Sequence, residues 1–163
     1  MNRIRLILAF LTVISVHVHA QSAKSLSRHI TEENGLSSNQ VRAIMQDRMG
    51  FIWMGTYQGL DRYDGRTFQN IPLSEETKGS SVYSLCEDDD VIWLGTDKGL
   101  SSYSYVTGEI SYFDVSTDDG MCISEQISSI AKDMDGNLWV STFGQGVFRY
   151  NRQQGKLDYF SMS

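Results

Sequence analysis

The sequence predicts an all-β fold: a partial β-propeller of three four-stranded blades with a leading strand. The first supporting observation is an internal repeat. Residues 53–60 read WMGTYQGL, residues 93–100 WLGTDKGL and residues 139–147 WVSTFGQGV, with Trp-to-Trp steps of 40 and 46 residues. A period of about 40 residues made of short β segments is the signature of a propeller blade. The second is that the surroundings repeat too. Each Trp follows an apolar segment and an acidic turn, and each is followed by a tyrosine: Tyr63, Tyr103 or Tyr150. These markers place blade 1 at about 36–72, blade 2 at about 80–114 and blade 3 at about 123–161.

Blade 1 sets the pattern. Residues 40–46 alternate, with Val41, Ala43 and Met45 on one side. Ile44 breaks the polarity of the other side, which suits a strand covered on both faces. Asp47 to Gly50 forms a hairpin turn. Residues 51–55 form the next strand, with Trp53 at its centre, and Gly59 takes the positive φ of a tight turn. Residues 60–63 form the third strand, Asp64-Gly65 turns, and residues 66–71 form the fourth.

Blade 2 repeats this as 82–87, an Asp88-Asp89-Asp90 turn, 91–95 around Trp93, 99–104 from Gly99, and 109–113. Blade 3 runs 127–132, turns over Asp133 to Gly136, and continues as 137–141 around Trp139, 146–150 from Gly146, and 156–160. Residues 26–31 read as a leading strand. The tryptophans are expected to wedge between blades, with the tyrosines packing nearby and their hydroxyls able to reach solvent. Gly55, Gly95 and Ser141 allow close backbone approach. Thr56, Thr96 and Thr142 bond their own turns.

The N-terminus is read apart from the fold. Arg3 and Arg5 precede an apolar run from Leu6 to Val16 that is too short for a stable membrane anchor. Val18 and Ala20 supply small residues before a cleavage point. Residues 1–20 are therefore expected to be a signal peptide, cut between Ala20 and Gln21 and directing export to the periplasm. The remaining domain is 21–163, with no further membrane span. Its loss of Arg3 and Arg5 leaves 12 basic against 20 acidic residues, a net charge of −8. That argues against nucleic acid, whose phosphates need a basic footprint. Cys86 and Cys122 do not make a disulfide scaffold, and no bridge between them is expected.

The run NGLSSNQVRAIMQDRMGFIWMGTYQGLDRYDG, residues 34–65, resembles the two-component regulator propeller repeat. The resemblance covers about residues 26–160. It rests on an Asp…Gly turn, Trp-x-Gly-Thr and Gly-Leu-x-x-Tyr-Asp-Gly in register. Blade 2 departs by lacking glycine at its acidic turn, and blade 3 by Ser141 and one extra loop residue.

The resemblance implies a periplasmic sensor region of a hybrid two-component system. Such a region senses oligosaccharides from complex glycans and signals to a histidine kinase not present in this chain. The chain is then expected to be the N-terminal part of such a sensor, with further blades as partners. Alone, it would be unstable or would assemble with other chains through its open edges. The other readings are a secreted propeller scaffold and a fragment of a polysaccharide-acting propeller enzyme, since a fold alone does not fix function.

No catalytic motif occurs: Gly-x-Ser-x-Gly, Walker and His-Glu-x-x-His patterns and paired-cysteine zinc spacings are missing. His29 has no implied catalytic partner. No enzyme activity, cofactor or metal is expected. Residues 133–137 begin like a calcium loop, but Leu138 and Gly144 stand where glycine and glutamate are required, so a hairpin turn is the reading. It also resembles the structural Asp-box turn of sialidase propellers. The Asp88-Asp89-Asp90 run reads as a solvated turn. Ligand contacts are sought in the least repetitive loop residues: Tyr57, Gln58, Asp97, Lys98, Phe143 and Gln145.

Overall fold

A computed structural model describes residues 27–160. The expected signal peptide and its cleavage point fall outside these residues. Twelve strands form three separate antiparallel sheets, each a simple meander of consecutive strands. Sheet 1 contains β1 (Val41–Gln46), β2 (Ile52–Thr56), β3 (Gly59–Tyr63) and β4 (Phe68–Ile71). Sheet 2 contains β5 (Val82–Asp88), β6 (Val91–Thr96), β7 (Gly99–Ser104) and β8 (Ile110–Tyr112). Sheet 3 contains β9 (Ile127–Lys132), β10 (Leu138–Thr142), β11 (Val147–Asn151) and β12 (Lys156–Phe160). The three predicted blades are therefore present, four strands each. The first strands β1, β5 and β9 lie side by side, and the second strands β2 and β6 reach across to the first strand of the following blade.

Two apolar clusters hold the blades together. One gathers Trp53 and Leu60 of blade 1 with Val82, Ile92, Leu94 and Tyr103 of blade 2. The other gathers Trp93 and Leu100 with Ile127, Ile130, Val140 and Phe148 of blade 3. Trp53 and Trp93 thus wedge against the following blade, as their bulk suggests, while Trp139 stacks on Phe160 of its own blade. The tyrosines answer in the opposite direction. Tyr103 packs on Trp53, with ring centroids 4.8 Å apart, and Tyr150 meets the edge of Trp93 at 6.1 Å. Tyr63, with no blade before it among the described residues, stacks on its own Phe68 at 4.6 Å. Tyr103 is buried as a whole, whereas Tyr63 and Tyr150 are half-buried.

The glycines after the tryptophans work by close approach. A Cβ on Gly55 would lie 2.7 Å from the Val82 carbonyl oxygen, and one on Gly95 would lie 2.5 Å from Ile127 Cγ2. Each threonine closes its own turn. Thr56, Thr96 and Thr142 donate to the carbonyls of Gly59, Gly99 and Gly146 at 3.2, 2.8 and 2.9 Å.

Two expectations are corrected. Residues 27–31 form no strand; the chain passes instead through a 3-10 turn over Glu32–Asn34. A strand needs a ladder partner, and none lies beside this segment among the described residues. In addition, β1 is not covered on both faces. Ile44 is 70% exposed, whereas Ile130 at the equivalent position of β9 is 9% exposed. Ile130 is covered because blade 2 packs before it, and among the described residues nothing packs before blade 1.

Candidate functional site

The loops singled out in the sequence gather at one end of the blades. The loops 56–59, 96–99 and 142–146 all follow the second strand, and backbone bonds tie them to the start of the first strand. Tyr57 N–H donates to Gln40 O (3.0 Å) and Phe143 N–H to Gln126 O (2.8 Å). Ser81 Oγ–H donates to Tyr57 O at 2.9 Å, fastening the blade 1 loop to blade 2.

The side chains differ in freedom. Tyr57 and Phe143 are 51% and 69% exposed, and Gln58, Asp97 and Lys98 are exposed as well. Lys98 Nζ donates to the Lys78 carbonyl at 2.9 Å. Gln145 is already committed to its own surroundings: its amide accepts from Ser124 N–H and Glu125 N–H and donates to Cys122 O and Ser124 Oγ. It splints the chain entering blade 3.

The same end carries residues that sequence reasoning missed. Each first strand has a bulge where it begins: at Val41/Ala43, at Val82/Ser84, and in β9 opposite Ser141/Thr142. The unpaired residues are Arg42, Tyr83 and Ser128. Bulges re-aim side chains and recur beside binding sites. Here the Arg42 guanidinium lies 5.8 Å from the Tyr83 ring centroid, a cation–π contact between neighbouring blades. No single-repeat pattern signals this, because a bulge is visible only against its partner strand.

Beside loop 56–59 a cleft of about 400 Å³ opens between blade 1 and the connection to blade 2. Gln58, Ser37, Asn70, Glu75 and Lys78 form its polar wall, with Leu60, Ile71, Pro72 and Leu73 on the apolar side. Behind this wall lies the fully buried Asp61 carboxylate. It accepts Ser37 N–H at 2.9 Å, Ser37 Oγ–H at 2.6 Å and the Asn70 amide, which fixes the orientation of both wall residues. The cleft thus sets charged, amide and hydroxyl groups against an apolar side, a lining suited to a small polar ligand.

The acidic turns at the opposite end are structural. Asp47, Asp88 and Asp133 each accept the indole N–H of their own blade's Trp, at 2.7, 3.2 and 2.8 Å. The Asn137 side chain and the Trp139 indole hold the Asp133 carboxyl down at about 2. Residues 133–137 form the expected hairpin turn, with Asp133 Oδ1 accepting Asp135 N–H and Asn137 N–H. In the Asp88-Asp89-Asp90 run, Asp88 is buried and turned inward rather than solvated. It pairs with Lys132 and, at 3.3 Å, with Arg152 of blade 3. Burial pushes its carboxyl up, but Lys132, the Trp93 indole and Arg152 outweigh this and hold it below the usual range. Cys86 and Cys122 are both free.

Comparison with known proteins fits this geometry. A family model described as Two component regulator propeller matches residues 35–58, 78–98 and 123–144, one stretch per blade. The chain superposes on the extracellular domain of BT3049 from B. thetaiotaomicron, a protein assigned as a hybrid two component system. The TM-score is 0.72 at 27% identity, covering 82% of this chain and 20% of that one. It also superposes on the extracellular domain of BT4673 from the same organism, assigned as a one component system, with a TM-score of 0.70 at 29% identity, covering 83% and 18%. Histidine kinase P4 of Formosa agariphila is 36% identical over 56 residues, 34% of this chain and 4% of that protein. The chain thus spans about a fifth of the solved domains it resembles. Among the described residues, no helix is long and apolar enough to cross a membrane.

Proposed function

The chain carries two-component regulator propeller repeats, and from that premise we propose that it forms part of the ligand-sensing propeller of a hybrid two-component sensor. The observation that carries this reading is the agreement of three repeat matches, one per blade, with a superposition over 82% of the chain on an extracellular sensor domain. In this reading the chain is exported after cleavage between Ala20 and Gln21 and works in the periplasm. It is not an enzyme and relies on a histidine kinase for output.

The proposed ligand is an oligosaccharide released from a glycan. It would be held by Tyr57, Gln58, Asp97, Lys98 and Phe143, with Arg42 and Tyr83 beside them and the Gln58–Asn70 cleft at the outer side. Exposed aromatic rings offer stacking faces to sugar rings, and the amides and Lys98 meet hydroxyls or acidic substituents. Signalling then requires that the ligand prefer one of two arrangements of the sensor. A ligand bridging loops of neighbouring blades would supply such a preference.

Calorimetric titration of the full chain with oligosaccharides from partly digested polysaccharides tests the proposal. At least one oligosaccharide class is expected to bind, and Tyr57→Ala with Gln58→Ala is expected to weaken it about tenfold or more. A panel that leaves the chain unbound overturns the glycan reading. Binding that survives the double substitution overturns the loop assignment.

A further inference from the structure

After residue 20 the chain has 20 acidic and 12 basic residues, so its cations have carboxylates to spare. Three of the four described lysines take one: Lys78 pairs with Glu75, Lys132 with Asp88 and Lys156 with Asp158. Lys98 pairs with no carboxylate among the described residues. Its ammonium donates to the Lys78 carbonyl at 2.9 Å and keeps two further donors. Arg42 is similar. Its guanidinium has no ion pair and no hydrogen bond among the described residues. It lies over the Tyr83 ring at 5.8 Å, a contact that leaves all five N–H donors free. Both cations are exposed.

The strand register brings the two together. Tyr83 is the bulged residue between Val82 and Ser84, and Val82 pairs with Thr96. Lys98 N–H donates to Thr96 Oγ1 at 3.1 Å, inside the turn that follows. Tyr83 therefore has Arg42 of blade 1 on one side and the Lys98 loop of its own blade on the other. Ser81 fastens the exposed Tyr57 loop to the same seam.

Carboxylates are scarce at this seam. The loops 56–59, 96–99 and 142–146 and the bulged Arg42, Tyr83 and Ser128 contain one, Asp97, against two cations. Nearby, Glu75 is taken up by Lys78, and Asp61 is buried with Ser37 and Asn70. Charges more than about 8 Å away are largely screened at physiological salt, so the local excess of cations outweighs the acidic remainder of the chain.

Resting on the glycan-sensing role proposed above, we infer that the oligosaccharide is anionic, with a carboxylate or sulfate group held by Arg42 and supported by Lys98. Arg42 is then the residue that sets specificity. A guanidinium presents a planar fork that matches two oxygens of such a group. The Tyr83 ring steadies that fork, and the Tyr57 ring offers a face to the sugar that carries the group. A neutral glycan would leave both cations unmatched.

The test is calorimetric titration of the full chain with oligosaccharides in matched pairs. Uronate oligosaccharides are set beside their methyl esters, and sulfated ones beside their desulfated forms, so that each pair differs in charge. The acidic member of a pair is expected to bind about tenfold tighter or more. The pair that responds tells carboxylate from sulfate. Arg42→Gln is expected to remove most of this preference, Arg42→Lys to restore part of it, and Lys98→Gln to reduce it about threefold. Added salt should narrow the gap within a pair.

Binding of uncharged oligosaccharides alone, or of both members alike, overturns the anionic assignment and leaves the glycan role standing. Binding of no oligosaccharide overturns the glycan role and this inference with it. A preference that survives Arg42→Gln overturns the part given to Arg42. Should that variant fail to fold, Lys98→Gln carries the same test, and an undiminished preference there counts against the pair of cations.

Discussion

The joint between blades 1 and 2 and the joint between blades 2 and 3 share a steric plan and differ in polar chemistry. Both pair a tryptophan with a following-blade tyrosine and a glycine with a branched side chain. At the acidic end the first joint is bridged by a phenol. Tyr105 O–H donates to Glu87 at 2.9 Å and lies 3.4 Å from Asp47, while Arg48 N–H also donates to Glu87. The second joint puts Lys132 where the first has Glu87, and Arg152 where it has Tyr105, forming an ion triad on buried Asp88. Packing therefore fixes how blades meet, while the polar positions give each joint its own identity. In the second joint both members of the bond are ions, and the shifted Asp88 and Lys132 tie its strength to pH at both ends.

The largest effect expected from breaking this comparison is at the wedges. Trp53→Ala should cost about 3–5 kcal/mol, as large-to-small core changes do. Trp139→Ala, at a half-buried position, should cost clearly less, and denaturant melts of the two variants provide the check. Equal losses would mean that Trp139 is as tightly packed as the tryptophans of the joints.

Next comes the close approach. Gly55→Ala forces a Cβ against the Val82 backbone carbonyl and should cost about 1–3 kcal/mol. At Gly95 the nearest inter-blade atom is a side-chain methyl of Ile127, so Gly95→Ala should cost less, as read from thermal midpoints.

The polar locks rank lower and separate by pH. Asp88 has a lowered folded pKa, so its contribution is complete above its unfolded value near 3.8 and fades as pH falls through the folded value. Lys132 has a raised folded pKa, because Asp88 bonds its ammonium. Its contribution is complete below 10.5 and fades as pH rises through the folded value. Asp88→Asn should therefore destabilise the chain between these limits, and the difference from the unsubstituted chain should shrink below pH 3.8. A stability difference that persists undiminished into strong acid would remove the ion triad from the account.

The smallest effect is expected from Tyr105→Phe, about 1.5 kcal/mol, the low end for a bond to a charged acceptor because the pair is only partly buried. Burial first, and then the bond to Glu87, push the Tyr105 phenol above its ordinary range. It should therefore stay protonated through the usual alkaline titration of tyrosine, which ultraviolet titration can follow. Early ionisation would contradict the bridge.

The sequence made legible what is local to one repeat. The alternation around Met45, the Asp-Gly turns, the threonine-closed loops and the tryptophan wedges all depend on residues within a few positions of one another. What depends on a neighbouring blade was hidden. Tyr105 reaches Asp47 across 58 positions and Arg152 reaches Asp88 across 64, and nothing in either repeat announces the partner. The reading of residues 26–31 as a leading strand misled because a strand exists only where another strand lies beside it. Ile44 misled because coverage of a face is a property of the neighbour. Within the candidate site, the loop residues stood out by their irregularity, but the role of Gln145 as a splint and the bulged Arg42 and Tyr83 required the strand register.

Because every sheet pairs only consecutive strands, the molecule is mechanically a short chain of independent links. Pulled from its two ends, it should not yield all at once. Each blade can unravel without threading past another, releasing roughly 140 Å of extended chain for its 40 or so residues. The rupture forces should then rank the blades, with the doubly flanked blade 2 holding longest.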